Sequence, residues 1–114
     1  MDITRTIQAT ENRSWVNQLF SGPPRQDWFP LPFTPRKAGV GDWLYVIYQG
    51  EIVGRCKIAA IPPYQGPDPV GGQGHTIDAR CRVYVEVPGE RSPSTKKTLS
   101  ARGHMGIRYT PPLW

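Results

Sequence analysis

Tryptophan and arginine are the residues of this chain best suited to hold a flat, negatively charged ligand. Trp28 lies in a proline-rich segment, and Trp43 directly follows the pair Gly41-Asp42. An exposed indole stacks on a nucleobase with about 1–3 kcal/mol per base, and a guanidinium matches the geometry of a phosphate group. The alternative is that both indoles cover a core with few large side chains, and the sequence favours this alternative for Trp43 but not for Trp28.

The net charge of +5 is concentrated in the last third of the chain. Residues 1–79 carry equal numbers of basic and acidic side chains, whereas from Arg80 onward seven basic residues face only Glu86 and Glu90. Arginines outnumber lysines ten to four, which suits phosphates and stacked bases. An acidic partner, most economically nucleic acid, is therefore predicted. The alternative is a basic surface that only keeps a small protein soluble.

Ten side chains are predicted to bind nucleic acid. In the segment "RGHMGIRY", Gly103 and Gly106 would let a backbone approach closely, and the histidine between them could donate to a phosphate or a base edge. Cations around the predicted hairpin would extend a track for phosphates, or would simply be solvated; they are Arg36, Lys37, Arg55 and Lys57. The predicted binding residues are Arg25, Trp28, Lys37, Trp43, Lys57, Arg80, Arg82, Arg102, His104 and Arg108.

The cysteines and histidines do not follow a metal-binding or nucleophile pattern. Cys56 and Cys81 lie in different predicted strands without CxxC spacing, and His75 and His104 lack paired ligand spacing. We therefore expect no metal and no cofactor. With no export signal in view, the cysteines are expected to be reduced and buried in a cytoplasmic protein. No apolar run approaches the roughly 20 residues that cross a bilayer, so no membrane partner is expected.

One short helix is predicted after an extended lead-in over residues 1–9. Thr10 or Asn12 can cap its start, and Gly22 followed by two prolines ends it. One apolar stripe recurs with helical spacing, and each of its members is expected in the core. The stripe consists of Trp15, Val16, Leu19 and Phe20.

Strands are predicted on both sides of the turn at Gln49-Gly50 and twice more toward the C-terminus. They cover Trp43–Tyr48, Ile52–Ile61, Thr76–Val87 and Met105–Tyr109. Alternation with period two directs Cys56 inward and its neighbours Arg55 and Lys57 outward. In the strand Thr76–Val87 the same alternation places Arg82 and Tyr84 on the face opposite Val83. The proline-rich residues 23–35 are a loop or an edge strand, and the loop 62–74 is long enough to suggest a function.

The chain length and composition favour one α+β domain over residues 1–114. Thirteen prolines and twelve glycines in 114 residues indicate short elements joined by turns and argue against a helical bundle. We expect a small β-barrel of about five or six strands with one N-terminal helix.

The order of these motifs resembles the PUA-like superfamily, and most closely its ASCH branch. The helix ends at Ser21-Gly22, the hairpin runs from Gly41-Asp42 through Val53-Gly54-Arg55, and the closing strand is "GHMGIRY". The resemblance covers nearly the whole chain and implies a curved PUA-like barrel whose helix flanks a cleft. In that superfamily the cleft commonly meets RNA or DNA, and in the EVE and YTH-like branches an aromatic pocket holds one modified base.

The catalytic motif of the ASCH enzymes is not retained. Some ASCH proteins hydrolyse an amide on a modified cytidine or cut RNA, and their mark is GxKxxExR after the helix. Here Pro24 replaces the lysine, Asp27 the glutamate and Phe29 the arginine, while Arg25 is one place off and cannot act as a base. The catalytic residues therefore do not carry over.

The predicted function is nucleic-acid binding without chemistry, with one base or nucleotide in a pocket near Trp28 and "RGHMGIRY". Two alternatives stay open. The first is a small hydrolase of a modified nucleoside or RNA with Asp27 or Glu86 as the base. The second is a protein-interaction module of a phage or mobile element. The oligomeric state is left open.

Overall fold

A computed structural model describes residues 1–7, 11–31, 34–62, 68–70, 75–77, 81–93 and 107–114, with only the backbone described over 68–70 and 75–77. Within these residues there are nine strands and one short helix. In chain order they are β1 Asp2–Ile7, α1 Arg13–Gln18, β2 Arg25–Leu31, β3 Trp43–Tyr48, β4 Glu51–Ala60, β5 Asp68–Val70, β6 His75–Ile77, β7 Cys81–Val87, β8 Glu90–Arg91 and β9 Ile107–Thr110.

One mixed sheet dominates the structure. Its strands follow the order β2-β7-β4-β3-β1-β9, and β8 pairs with β4 beside this path. The β1–β3 ladder is parallel, and the other ladders are antiparallel. A separate antiparallel pair joins β5 to β6. The predicted extended lead-in is therefore wrong in one respect, because residues 2–7 form an interior strand with a partner on each side.

The expected mostly-β architecture is confirmed at this coarse level, but the sheet is open in the described part of the chain. There β2 and β9 end the path, and no ladder joins them. The expected closure into a barrel is therefore not observed among these residues. Instead, the two halves of the sheet share the long strand β4, whose register shifts between Ile58 and Ala60, and an irregularity of this kind bends a strand.

The predicted helix is present but ends at Gln18, before the expected end at Gly22, and its start is capped by Asn12 as expected. The Asn12 side chain accepts a hydrogen bond from the backbone N–H of Ser14 at 2.7 Å, which satisfies one of the free donors of the first turn. The expectation that Trp15 belongs to the core is wrong, since it is 40% exposed. At 100° per residue Trp15 lies at the margin of the apolar stripe, and a helix of six residues needs only the centre of the stripe to pack.

The main core lies between α1 and the inner face of the sheet. Alternation in β7 is confirmed, because Val83 and Val85 are buried whereas Arg82 and Tyr84 are half-buried on the other side. Every strand on the main path contributes buried side chains to this core. Its members are Ile3, Ile7, Val16, Leu19, Phe20, Phe29, Leu31, Leu44, Val46, Tyr48, Cys56, Ile58, Cys81, Val83, Val85, Val87 and Ile107.

A smaller second core lies on the opposite face of the central strands. It consists of the buried residues Tyr45, Ile47 and Ile52. Partly buried apolar side chains cover it, namely Trp43, Leu113 and Trp114. The C-terminal segment 111–114 therefore packs across the sheet on the side away from the helix.

The β3–β4 hairpin forms as predicted, around the turn Gln49-Gly50. Both turn residues have positive φ, 52° for Gln49 and 79° for Gly50. Turns of this hand match the right-handed twist of paired strands. The hairpin fixes which side chains of β3 and β4 share a face, and this sharing determines the candidate site.

Candidate nucleic-acid interface

Strand register places five of the ten predicted binding residues on one face of the sheet, which we call the outer face. It is the face opposite the main core. Because Val83 points into the core, Arg82 and Tyr84 point outward. Trp28 of β2 lies opposite Tyr84 in the neighbouring strand, and directly opposed residues share a face. The five residues are Trp28, Trp43, Lys57, Arg82 and Arg108.

The hairpin adds two of these residues to the outer face. Leu44 lies opposite Cys56, and both belong to the main core. Their neighbours Trp43 and Lys57 also oppose each other and therefore point to the outer face. Lys57 is exposed, and its ammonium lies 5.3 Å from the centroid of the Trp43 ring.

Arg108 reaches the outer face through β1. Thr4 lies opposite Arg108 in β9 and opposite Tyr45 in β3, and Tyr45 belongs to the second core. Arg108 is exposed. It stands four strands away from β7 and five from β2 along the sheet, so the ladders do not make it a neighbour of Trp28.

Trp43 belongs to a closed arrangement that we call the covered cluster: Trp43, Arg55 and Trp114. The Arg55 guanidinium lies 3.9 Å from the centroid of Trp43 and 4.9 Å from that of Trp114. It also bonds Glu90, with Nε 2.9 Å and Nη2 2.8 Å from Oε2, and its Nη1 donates to the Trp114 carbonyl at 2.6 Å. The Arg55 side chain is only 12% exposed. The expectation that Arg55 extends a phosphate track is therefore wrong, because its donors are already bound.

Two hydrogen bonds accepted by Asp2 anchor the covered cluster. Its carboxylate accepts the backbone N–H of Trp43 at 2.9 Å and the hydroxyl of Tyr45 at 3.2 Å. The same hydroxyl accepts the N–H of Leu113 at 2.8 Å, and the Tyr45 ring meets Trp114 edge-on at a centroid distance of 5.0 Å. This network fixes the tail on the sheet. The sequence analysis missed it, because no local pattern links Asp2 to the C-terminal segment.

Trp28 belongs to a different arrangement, which we call the edge cluster: Trp28, Arg82 and Tyr84. The Arg82 guanidinium lies 5.6 Å from the centroid of the Trp28 ring. All three side chains are half-buried. In the described part of the chain β2 pairs only with β7, so Trp28 stands on an outermost strand. The ten predicted residues did not include Tyr84, although its alternation with Arg82 in β7 was the available signal.

Arg25 and Lys37 are not part of the outer face. Arg25 donates to the carbonyls of Gln18 at 2.6 Å and of Ser21 at 3.1 Å, which are acceptors left over at the end of α1. The Lys37 ammonium lies 5.6 Å from the ring centroid of Tyr109, and the Lys37 N–H donates to the Tyr109 hydroxyl at 3.4 Å. Both side chains are exposed, but each has a local structural partner.

The remaining three predicted residues, Arg80, Arg102 and His104, lie outside the described residues. The same holds for the two glycines of "RGHMGIRY" and for most of the loop 62–74. The structure therefore does not test the predicted pocket between Trp28 and that segment.

The two thiols are buried and free, as expected from the sequence. Burial raises the pKa of the Cys56 thiol to about 12, and the charge of Asp27 adds to this effect. Burial also raises the pKa of Cys81, although a hydrogen bond with Thr34 opposes the shift. Since the thiolate is the reactive form, neither cysteine is a nucleophile at neutral pH.

The two carboxylates considered as catalytic bases are separated by the sheet. Asp27 opposes the core residue Val85, whereas Glu86 opposes Gln26 and is exposed on the outer face. They therefore do not act on one substrate atom together.

Over the described ranges, no group of three or more His, Cys, Asp or Glu side chains could hold a metal ion. In the same ranges no helix has the length and apolar character to cross a membrane. Comparison of the chain with protein-family models, curated proteins and solved structures found no match.

Proposed function

We propose that this chain is a nucleic-acid-binding domain without catalytic chemistry, and that the edge cluster is its primary contact with a base. The observation that carries the proposal is the half-buried Trp28 ring on an outermost strand, 5.6 Å from the Arg82 guanidinium. A flat ring beside a cation offers stacking to a base and attraction to the neighbouring phosphate.

The rest of the outer face supports this assignment through its charge. Lys57 and Arg108 are exposed on the same face, and each could approach a phosphate of a strand that crosses the sheet. Contacts of this kind set position and affinity, whereas the stacked base supplies any selectivity. Proteins that bind single strands combine these same two elements, a basic surface and aromatic platforms.

We further propose that the fold is PUA-like and closest to the ASCH branch. The order of elements supports this proposal: a short helix ends before Gly22, a strand enters after Gly41-Asp42, and a final strand pairs with the first. The cytoplasmic location expected from the sequence likewise stays a prediction.

Binding to short single-stranded RNA and DNA, measured by fluorescence anisotropy at several salt concentrations, tests the proposal. Trp28→Ala should weaken binding by about tenfold or more, because stacking on an aromatic side chain is worth about 1–3 kcal/mol per base. Arg82→Gln should also weaken binding and reduce the slope of log K against log salt by about one.

Arg36→Gln is the matched control, because this exposed arginine lies in the segment between β2 and β3 and contributes to a different surface depression, together with Val40 and Ile61. This variant should leave unchanged the contribution that base stacking makes to oligonucleotide affinity. Equal affinities for wild type, Trp28→Ala and Arg82→Gln, with all three folded, would exclude the edge cluster as the binding site.

A further inference from the structure

A cleft of about 350 Å³ lies between α1 and the β3–β4 hairpin. Its volume falls in the range typical of small-molecule sites. Val16 of the helix, Phe20 just after it and Tyr48 of β3 contribute buried apolar surface. Arg13 of the helix and Arg91 of β8 also line it. None of the five outer-face residues predicted to bind nucleic acid lines this cleft.

The two arginines rest on aromatic rings of the cleft. The Arg13 guanidinium lies 5.2 Å from the centroid of Tyr48, and the Arg91 guanidinium lies 5.5 Å from that of Phe20. A guanidinium on a ring face is held in place while its edge stays available to an acceptor. Arg13 additionally donates to the side-chain carbonyl of Gln49.

No carboxylate of the described residues forms an ion pair with Arg13 or Arg91. Glu51 also lines the cleft but forms no ion pair with either arginine. The cleft therefore combines two guanidinium charges with one carboxylate at its rim, and an anion is the complementary ligand.

The apolar floor is built into the fold. Gly54 lies directly beneath Phe20, and a Cβ at that position would collide with the Phe20 ring and with the backbone carbonyl of Glu90. Because Gly54 is buried and leaves this room, the ring of Phe20 packs against the backbone of β4 and lies 5.5 Å from the Arg91 guanidinium. A planar ligand would find apolar surface of Val16, Phe20 and Tyr48 beside the two cations.

We propose that this cleft binds the phosphomonoester group of a nucleotide, with the base against the apolar floor. A phosphomonoester carries about −1.5 to −2 charges near neutral pH, which matches two guanidiniums better than the single charge of an internal phosphodiester. The same group occurs on a free mononucleotide and on the 5′-phosphorylated end of a strand. The proposal does not rest on the edge cluster, because the two sites share no residue.

Calorimetric titration with the four ribonucleoside 5′-monophosphates, and with the four corresponding nucleosides, tests the proposal. At least one monophosphate should bind at least about tenfold more tightly than its nucleoside, because charge-assisted hydrogen bonds are the strong ones. The double variant Arg13→Gln/Arg91→Gln should lose that difference, whereas Arg36→Gln should retain it. Both arginines are exposed, and thermal unfolding will show that the double variant folds.

Three results would overturn the proposal: no monophosphate saturates the protein, the nucleosides bind equally well, or the double variant binds like wild type. The variant Trp28→Ala should bind monophosphates normally, so failure of the edge cluster and failure of the cleft are distinguishable. Oligonucleotides with and without a 5′-phosphate then identify the source. A preference for the phosphorylated strand that disappears in the double variant assigns the strand end, and equal affinities assign the free mononucleotide.

Discussion

The covered cluster and the edge cluster use the same residue types on the same face of the sheet, yet they serve different ends. In the covered cluster, Arg55 lies between two indoles and bonds a carboxylate and a carbonyl. In the edge cluster, Arg82 lies at 5.6 Å from one indole, Trp28. A second aromatic layer thus makes the tryptophan–arginine pair of the covered cluster an internal support, whereas the edge cluster is the pair that we propose as a contact surface.

Position in the sheet explains the difference. Trp43 stands on β3, an interior strand, where the segment 111–114 crosses the outer face and brings Trp114 onto Arg55. Trp28 stands on β2 at the end of the path. An interior position makes it possible to cover a side chain from both sides, and an edge position leaves one side for a partner.

The substitution Arg55→Ala should separate the two clusters most strongly. It removes two cation–π contacts, each worth up to about 2 kcal/mol when desolvated, together with the bonds to Glu90 and the tail. We expect the free energy of unfolding in urea to fall by about 2–3 kcal/mol. The matched change Arg82→Ala should lower it less, by about 0.5–1 kcal/mol. Equal losses in the two variants would show that the clusters do not differ.

The substitution Trp114→Ala should have the next largest effect. It uncovers Arg55 and removes the edge-on contact with Tyr45, and an aromatic pair adds about 0.5–1.5 kcal/mol beyond the area that it buries. We expect a stability loss of about 1–2 kcal/mol in urea unfolding, with oligonucleotide affinity unchanged. If Trp114→Ala reduced affinity as much as Trp28→Ala does, the tail would belong to the binding site.

Acidification below about pH 4 should have the smallest effect on stability, and it should act through Asp42, next to the covered cluster. The hydrogen bond from the Gly39 N–H, at 2.9 Å, is the largest cause that lowers the pKa of Asp42, the residue before Trp43. Because its folded pKa lies below the unfolded value of about 3.9, this carboxylate stabilises the fold above about pH 4. That contribution is lost as the pH falls through the folded pKa.

Urea unfolding at a series of pH values, with Asp42→Asn as the control, measures this contribution. The variant should lack part of the decline that wild type shows below about pH 4. Identical pH profiles for the two proteins would show that Asp42 does not contribute.

Local patterns were sufficient for the β3–β4 hairpin and for the two faces of β7, but not for β1 or for the partners of the arginines. Alternation in β7 and the hairpin correctly predicted that Arg82 and Lys57 leave the core. The burial of Arg55 depends on a tail 59 residues away in sequence, and no local period reports such a contact. The interior strand β1 was missed because Arg5 and two threonines interrupt its apolar residues, so that its pattern resembles a polar lead-in.

The pairing of β1 with β9 joins the first described strand of this sequence to the last. Asp2 lies opposite Thr110, and β1 has its other neighbour in β3. During synthesis β1 therefore has one row of unpaired backbone donors and acceptors until residues 107–110 leave the ribosome. A nascent or truncated chain that stops before residue 107 exposes that row as a template for intermolecular strand addition, so the pairing with β9 covers an edge that would otherwise favour aggregation.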